Sequence, residues 1–440
     1  MSRKLGSAFA VMLAAGAIGS APASASDVIV QGTTDIRDAG LLNDVIVPGF
    51  QAKYPQYTLK YIAVGTGQAI TNAEAGQGDA LVTHAPTSEK PFVFNGFSYE
   101  KTGRAVFYSD YVIIGPSDDP AGVFASAPHD AASAFERIAA AGEAGNANFV
   151  SRGDNSGTNT QEKIIWGLTN VPLNSSHEPG DGTATGNPAW YQKAGLGQAA
   201  TVQLAAQCPF AGGGCYDMTD RGTFNRLVAN GTITNMKVVT EKNDAAARGG
   251  LNLLTNPFTA YAVNPAKIPS VNLAGARAFL SYLTSKGFQK ILDGYPSTAN
   301  PAFFPDAHPE ITLNKKKGKG RTSGGASAAG ALPKSVVGGQ QLKVSGQLRN
   351  LLPGSPRLNK KQIVIERAVK RHKKGTVFKR VAKTRTKKGG KFTLSFRAIH
   401  SGKLRLRVPK IYPNLNVNPL IAAGSMEEQI LGLGTLRVRQ

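Results

Sequence analysis

Three short turns rich in Gly, Ser and Thr are the parts of this sequence whose residue types and positions could do chemistry. They are Gln31 to Asp35 (QGTTD), Val64 to Ala69 (VGTGQA) and Ser151 to Thr158 (SRGDNSGT). Each follows a predicted strand and precedes a predicted helix, so each would present the unpaired N–H groups and partial positive charge of a helix N-terminus. If the turns converge, they predict a pocket of neutral donors plus one full charge, Arg152, which suits a small anion.

The number of donors decides what such a pocket could hold. Removing water from a dianion is very unfavourable, whereas each hydrogen bond to a charged group returns about 1.5 to 3 kcal/mol and one helix end about 0.3 to 2 kcal/mol. A single turn is therefore too weak, and taken alone it is more simply a tight turn with a helix cap. Six or more donors from three turns could supply the roughly 10 to 12 kcal/mol of tight binding.

The charge of the chain is divided unevenly. Among 440 residues there are 51 Lys and Arg and 28 Asp and Glu, but residues 311–440 hold 30 of the basic residues and only three acidic ones. Residues 1–310 thus carry a net charge of −4 and the last 130 residues +27. An acidic first region excludes a nucleic-acid-binding function there, and neutral donors explain how such a region could still bind an anion.

The N-terminus has the pattern of an export signal. Arg3 and Lys4 precede an apolar run from Leu5 to Ile18, and small residues follow from Pro22 to Ser26. This pattern predicts a signal peptide over residues 1–25 with cleavage after Ala25; a membrane anchor, the alternative, would need about 20 apolar residues. We expect an exported protein (periplasm, cell surface or extracellular) without a transmembrane helix, and without a lipid anchor because no Cys follows the signal.

The two cysteines of the chain, Cys208 and Cys215, flank a Gly-rich segment. In an oxidising compartment this spacing predicts a disulfide. A metal or redox pair is the alternative, but no His or further Cys lies nearby and the spacing is too long for a CxxC motif. No cofactor or metal is expected.

Catalytic residues are not legible in the sequence. No Ser/His/Asp or Cys/His set and no paired carboxylates can be tied to a pocket, so an envelope hydrolase, one candidate function, lacks a nucleophile and a base, and we predict a protein that is not an enzyme. His84 follows the segment GDALVT (78–83). It could contact a ligand or be a packed histidine at a strand end.

Two kinds of periodicity divide the chain into domains. Residues 27–310 alternate between strands and helices, which predicts an α/β domain with a largely parallel sheet. The predicted strands are 27–30, 57–64, 108–114 and 260–263, and the predicted helices are 40–54, 131–141 and 274–293.

The C-terminal part has a different pattern. Residues 311–339 predict a basic, flexible linker, and residues 340–440 predict a β-sandwich domain of Ig-like type because short segments alternate apolar with polar residues. The predicted strands are 343–348, 362–369, 377–384, 391–398 and 403–408.

Several motifs in order resemble one protein family. They include VGTGQA (64–69), GDALVTHA (78–85), SDYVIIGPSDDPAG (109–122), FVSRGDNSGT (149–158), YDMTDRGTF (216–224) and NPFTAYAVNP (256–265). Together they resemble the tungstate-binding (TupA-like) periplasmic solute-binding proteins of ABC importers. The likeness covers residues 28–310 and leaves the basic β domain outside.

The resemblance implies a type II periplasmic-binding-protein fold with two hinged lobes, lobe I (27–113 and 260–310) and lobe II (114–259), closing on a tetrahedral oxyanion. Its implied partners are tungstate or molybdate and an ABC permease. By motif position, the ligand-binding residues would be Thr33, Thr34 and Thr66 in lobe I and Arg152, Ser156, Gly157 and Thr158 in lobe II.

Two positions depart from the family pattern, which has Ser at the place of Asp35 and His at the place of Asn159. A carboxylate that faces the site would repel a deprotonated dianion, or it could accept a proton from hydrogen phosphate, which makes a phosphate-type binder the alternative. If Asp35 instead caps its own helix, tungstate or molybdate is favoured.

The basic C-terminal region should be attracted to polyanions. We expect anionic cell-wall polymers as partners of residues 311–440, or a domain that is merely well solvated. An envelope attachment protein is therefore a further candidate function. Nucleic acid is not expected, because Phe378, Phe392 and Phe396 are the only aromatic residues of this region before Tyr412.

Overall fold

The computed structural model describes residues 25–180, 186–314, 332–349, 358–371, 375–412 and 425–439. The predicted signal peptide, apart from Ala25, and the basic run 315–321 lie outside these residues. Within the described residues, no helix has the length and hydropathy needed to cross a bilayer.

The α/β region alternates between strands and helices as the periodicity predicts. Its strands are β1 Ser26–Thr33, β2 Tyr57–Val64, β3 Ala80–Thr83, β4 Arg104–Pro116, β5 Ala147–Ser151, β6 Tyr191–Lys193, β7 Gly214–Asp220, β8 Met236–Thr240, β9 Thr255–Ala262 and β10 Phe304–Pro305. Its helices are α1 Thr34–Asp38, α2 Val47–Lys53, α3 Thr66–Glu74, α4 Pro86–Phe94, α5 Val123–Ser126, α6 Ala131–Glu143, α7 Gly157–Trp166, α8 Gln198–Gln207, α9 Arg221–Ala229, α10 Leu273–Leu283 and α11 Lys286–Leu292.

One long strand joins the two halves of this region. The sheet order is β2-β1-β3-β9-β4-β7-β5-β6, with β8 and β10 also pairing with β4. The first half of β4 pairs with β9, while its second half pairs with β7 and β8. Parallel pairs (β1 with β2 and β3, β5 with β6 and β7) flank this antiparallel centre. The result is two α/β lobes connected through β4 and β9.

The hydrophobic cores show where one lobe ends and the other begins. Phe107 and Phe258 are buried in the core of lobe I with Phe50 and Phe279. Tyr111 and Leu254, only a few residues away, belong to the core of lobe II. The chain thus crosses between the lobes near residues 110 and 254, a few residues before the predicted boundaries at 113 and 259. The first crossing lies within β4 because one end of this strand is buried in the core of lobe I and the other end in the core of lobe II. The second lies at the start of β9 because this strand is buried in the core of lobe I and Leu254, just before it, in the core of lobe II.

Two predicted helices are interrupted. The predicted helix 274–293 is divided into α10 and α11 because the Ser285 side chain accepts a bond from the Phe288 N–H (3.3 Å) and caps a new helix. The predicted helix 40–54 begins only after Gly40 (φ 87°) and contains a π-helical turn, Leu42–Ile46, before α2. Pro48 lies at the start of α2, where its missing N–H cannot continue the preceding ladder.

The C-terminal region consists of two sheets with a shared apolar core. One sheet has the order β11-β13-β16 and the other β12-β18-β17-β14-β15. The strands are β11 Glu310–Leu313, β12 Ser335–Val337, β13 Gln341–Arg349, β14 Gln362–Arg371, β15 Gly375–Arg385, β16 Lys391–Arg397, β17 Gly402–Val408 and β18 Gln429–Arg439. We call residues 310–314 and 332–439 the β domain; its Ig-like topology stays a prediction.

The linker prediction for residues 311–339 is wrong at both ends. β11 pairs with β13, and β12 pairs with β18. Ile311 and Val336, which lie in these two strands, are buried in the core of the β domain. Single apolar residues in a short polar segment carry too little periodicity to reveal a strand in the sequence.

The β domain is docked on lobe I through residues Ser425–Glu427, which we call the strap. Ser425 accepts a bond from the Ala105 N–H (3.0 Å) and donates its own N–H to Gly103 O (2.7 Å), so it extends the pairing of β4. The Glu427 carboxylate lies 2.9 Å from Lys410 Nζ, which also lies 3.1 Å from the Glu100 carboxylate of lobe I. Backbone pairing and ion pairs thus fix the β domain to this lobe.

Candidate functional site

Four helices begin close together where the described lobes meet. α1 begins at Thr34 and α3 at Thr66 in lobe I, while α7 begins at Gly157 and α8 at Gln198 in lobe II. Sequence reasoning located the turns that contain the first three of these helix starts, although it began the first helix at residue 40, and it missed the fourth. Because each start leaves backbone N–H groups without helical partners, the junction between the lobes is rich in donors.

Arg152 lies at the centre of this junction and is 2% exposed. Its Nη1 donates to Gln198 Oε1 (2.8 Å) within lobe II and to Thr34 Oγ1 (3.3 Å) across to lobe I. Its Nη2 donates to Asp154 Oδ2 (2.5 Å), and its Nε is buried without a hydrogen-bond partner among the described residues. One guanidinium therefore connects both lobes and keeps one buried donor unused.

The groups around Arg152 satisfy one another. Thr158 Oγ1 donates to Gln198 Oε1 (2.8 Å), and the Gln198 backbone N–H lies 3.4 Å from Thr34 Oγ1. We call Thr34, Arg152, Thr158 and Gln198 the interlobe cluster. Its members are buried, and their bonds join side chains that could each turn to an anion instead. The cluster can thus exchange internal bonds for bonds to a ligand without exposing unpaired groups.

The other predicted ligand residues of lobe I lie beside the cluster rather than in it. Thr33 is buried, and its hydroxyl has no partner among the described residues. Thr66 Oγ1 lies 3.4 Å from the backbone N of His84. Neither hydroxyl bonds to Arg152 in this structure, so the prediction that they donate to the ligand is not tested by it.

The two remaining predicted residues of lobe II shape the turn before α7. Ser156 caps that helix by accepting the Asn159 N–H (3.2 Å), and it packs against the turn of lobe I, since a Cβ at Gly65 would lie 3.4 Å from it. A Cβ at Gly157 would lie 2.5 Å from the His84 ring. Glycine is therefore required at position 157 for the lobes to approach this closely.

Asp35 is fully buried but is directed away from the interlobe cluster. Its Oδ1 accepts the N–H of Ile36 in the first turn of its own helix (3.1 Å). Its Oδ2 faces Asn256 Nδ2 (3.4 Å) and His84 Nε2 (3.6 Å). The carboxylate is thus held by its own helix, by Asn256 of the connecting strand β9 and by His84, which follows β3.

His84 belongs to the hydrogen-bonded group around Asp35 and Asn256, which we call the hinge network. Its Nδ1 lies 2.7 Å from Asn256 Oδ1 and 3.0 Å from the Tyr111 hydroxyl, and its ring stacks on Phe258. Asn159, the second departure from the family pattern, donates to Ser151 and Glu162 inside lobe II. Neither residue bonds to the interlobe cluster.

Burial keeps a proton on a second carboxyl of this network. Desolvation, reinforced by the charge of Asp35, raises the pKa of Asp220 to about 8, although the bond from the Ser109 hydroxyl (2.5 Å) lowers it. Burial and the same charge also raise the pKa of Tyr111, against the lowering effect of Arg152. Near neutral pH, Asp220 therefore adds little negative charge beside the site.

A small cavity lies on the His84 side of the junction. It has a volume of about 20 Å³ and is lined in part by His84, Tyr111, Gly157 and Asn256. A cavity of this size holds about one water molecule. The bonds from Arg152 and Gln198 of lobe II to Thr34 of lobe I show that the lobes are in contact beside this cavity.

Gln198 is the residue of the interlobe cluster that sequence reasoning missed. It follows Gly195-Leu196-Gly197 and the three-residue strand β6. This is the same order of strand, Gly-containing turn and helix that revealed the other three turns. The signal was present, but so short a strand is hard to recognise by periodicity.

The structure also pairs the two cysteines. Cys208 ends α8 and Cys215 begins the buried part of β7, and their Cα atoms are 5.5 Å apart in the disulfide. Among the described residues, no group of three or more His, Cys, Asp or Glu side chains could hold a metal ion.

Comparisons with known proteins agree with this architecture. The PBP superfamily domain matches residues 19–286. A Haloferax volcanii protein with the provisional name ABC transporter anion-binding protein is 37% identical over 284 residues, covering 64% of this chain and 73% of the relative. The tungstate-binding protein TupA of Peptoclostridium acidaminophilum is 30% identical over 285 residues, covering 64% and 86%.

Among solved structures, the tungstate-binding protein TupA from Desulfovibrio alaskensis G20 is 35% identical, with a TM-score of 0.48, and covers 64% of this chain and 99% of that one. The matched regions leave most of the β domain outside. This chain belongs to the PBP superfamily and, within it, to the TupA-like solute-binding proteins.

Proposed function

We propose that this protein captures a tetrahedral oxyanion, tungstate or molybdate, outside the cytoplasm and delivers it to an ABC importer. One observation carries the proposal: a buried guanidinium of lobe II, Arg152, bonds to a hydroxyl of lobe I, Thr34, among helix N-termini from both lobes. Donors from two lobes can surround an ion and replace its water. The relatives named for anion or tungstate binding support the same class of ligand.

The chemistry of the donors favours an ion that has lost all its protons. The interlobe cluster offers N–H and O–H groups and one guanidinium. The Asp154 carboxylate is already used by that guanidinium, while the buried Asp35 carboxylate bonds to its own helix and to the hinge. A protonated ion such as hydrogen phosphate would need an acceptor for its proton. Tungstate and molybdate need donors only, so they fit the cluster better than hydrogen phosphate.

Closure follows from the placement of the donors. Thr34 lies in lobe I, and Arg152, Thr158 and Gln198 lie in lobe II, so an ion that bonds to all four binds the closed form better than the open form. The two connecting strands, β4 and β9, are the places where the backbone would bend. The ligand would thus stabilise a closed shape for a permease to recognise.

The same contacts support binding rather than catalysis. The Thr158 hydroxyl donates to the side-chain amide of Gln198. The Thr34 hydroxyl accepts a hydrogen bond from the Arg152 guanidinium, and the Ser156 hydroxyl caps a helix. None of these three hydroxyls is bonded to a general base, as an activated nucleophile would be. We therefore infer that the protein is not an enzyme.

The test is calorimetric titration of the full exported chain with tungstate, molybdate, sulfate and phosphate at neutral pH. We expect tungstate or molybdate to bind with a Kd in the micromolar to nanomolar range, about 8 to 12 kcal/mol, and the other two ions to bind much more weakly. Absence of heat with all four ions would contradict the proposal. Tight binding of phosphate alone would favour the phosphate-type alternative.

A further inference from the structure

The β domain has an excess of positive charge that its own acidic residues do not balance. Residues 311–440 contain 30 Lys and Arg but only Glu366, Glu427 and Glu428 as acidic residues. Glu366 lies 2.8 Å from both Arg405 and Arg407, and Glu428 lies 2.8 Å from Arg407. Glu427 lies 2.9 Å from Lys410 and 3.5 Å from Arg104 of lobe I, so these three carboxylates are already engaged. The β domain has one further acidic residue, Glu310 at the start of β11.

The unbalanced charges form a row along one edge of the larger sheet. β15 is the last strand in the order β12-β18-β17-β14-β15. It carries exposed basic residues, which continue into the turn that follows. We call this set the basic edge: Lys379, Arg380, Lys383, Arg385, Lys387 and Lys388.

The basic edge is both available and long. None of its six side chains makes an ion pair with another described residue, and the contacts with lobe I are made elsewhere, by the strap, Lys410 and Ile430. The part of the edge in β15, from Lys379 to Arg385, spans six residue steps at about 3.3 Å each, roughly 20 Å, and Lys387 and Lys388 lie beyond its end. A row of this length matches an extended chain of charges better than a single ion.

The edge lacks the apolar groups that membrane insertion requires. Phe378, the aromatic residue of β15, is half-buried, and the guanidinium of Arg405 lies 3.6 Å from its ring centre. Among the large apolar side chains of β15, Val381 is the exposed one, at 36%. Helices and edges that insert into bilayers present several such side chains together with their charges, so a polymer in solution is the better partner.

We propose that the basic edge binds a linear polyanion with phosphate or carboxylate groups in its repeating unit, and that this contact holds the exported protein in the cell envelope. The proposal goes beyond oxyanion capture and does not depend on it. Exposed charges on both partners would steer the encounter and make binding strongly dependent on salt.

Lysines on an edge strand also have a simpler use, because they prevent the edge from pairing with another sheet. The two roles differ in what their removal does. Loss of a binding surface lowers affinity for a polyanion, whereas loss of edge protection produces association of the protein with itself.

The experiment compares the full chain with the triple variant K379Q/R380Q/K383Q and a matched control, K343Q/R349Q/R397Q. The control removes three exposed charges from the other sheet of the same domain. Fluorescent long-chain inorganic polyphosphate and poly-glutamate serve as phosphate and carboxylate probes, and binding is followed by anisotropy. We expect the edge variant to lose at least about tenfold in affinity for one or both probes, and the control to lose less than about threefold.

Circular dichroism and size-exclusion chromatography of each variant show whether it is folded and monomeric, independently of polyanion or oxyanion binding. Equal losses in the two variants would overturn the proposal, because net charge and not the edge would then govern binding. Binding of the full chain to phosphatidylglycerol vesicles but to neither polymer would also overturn it. So would an edge variant that binds both polymers normally but self-associates.

Discussion

The α/β region and the β domain meet negative charge in opposite ways. In the α/β region, a net acidic part of the chain surrounds one buried arginine with the Asp154 carboxylate and with neutral side chains that are shielded from solvent. In the β domain, many cations lie exposed along a sheet edge with few acidic partners. Buried donors must match the shape of their ligand, whereas exposed charges attract any polyanion from a distance. Net charge alone therefore does not predict which part of a protein selects a particular anion.

The largest effect should come from the single cation of the buried site. In Arg152→Gln the loss of two hydrogen bonds to a dianion, at about 1.5 to 3 kcal/mol each, should weaken tungstate binding by roughly 10² to 10⁴-fold in calorimetry. Arg248→Gln is the matched control, because Arg248 is also a paired arginine of lobe II but bonds to Glu136 and not to the cluster. If a folded Arg152→Gln variant bound tungstate as well as the unmodified protein, the buried arginine would not be the anion-binding group of the α/β region, and the comparison of the two regions would fail.

The second-largest effect should be a difference in how salt changes the anion affinity of the two regions. Between about 50 and 200 mM salt, six contacts with a polyanion should lose roughly 10² to 10³-fold in affinity, since counterions compete for exposed charges. The Kd for tungstate should change less than about threefold, because buried groups are little screened. Parallel anisotropy and calorimetry measurements test both. Equal salt dependence would mean that the two regions bind anions by one mechanism.

A smaller effect is expected from one neutral donor. Thr34→Val keeps the shape of the side chain but removes a hydroxyl in the interlobe cluster, which should weaken tungstate binding by roughly 10- to 150-fold. Thr201→Val is the control, because the Thr201 hydroxyl donates to a carbonyl of its own helix, Gly197 O, at 3.0 Å. If both variants bind tungstate equally well, the hydroxyl of Thr34 does not contact the ion.

The smallest effect concerns stability and pH. Burial alone raises the pKa of Asp306 in lobe I to about 8. Because the folded protein then binds this proton more tightly than the unfolded chain does, the contribution of Asp306 to stability falls as the pH rises from about 4 to 8. Asp306→Asn should therefore flatten the decline, with a thermal midpoint a few °C higher than that of the unmodified protein at pH 8. Identical pH profiles would contradict this assignment.

Much of the fold could be read from the sequence because periodicity is a local property. The alternation of strands and helices in the α/β region, and the five strands from β13 to β17, follow from the spacing of apolar residues alone. β18 was missed because Gly432 and Gly434 interrupt its alternation, at the place where its pairing with β17 shifts register. Glycines within a strand mark a bulge as readily as a turn.

The site could be predicted only in part. Turn composition identified the three turns and Arg152, and the family resemblance added Thr34 and Thr158; the structure brings these three residues together. The orientation of Asp35 could not be predicted, because it depends on Asn256 and His84, which come from strands remote in sequence. Sequence patterns report which groups a turn offers, whereas packing decides which way each group faces.

The docking of the strap on β4 determines which lobe is free to move. Ser425 pairs with the lobe I end of β4, and Glu427 donates its N–H to Ala307 O of the same lobe. Any contact that immobilises the β domain must also immobilise lobe I. Lobe II would then be the only lobe that moves when the protein opens and closes. A protein attached in this way could open and close for its cargo while remaining stationary.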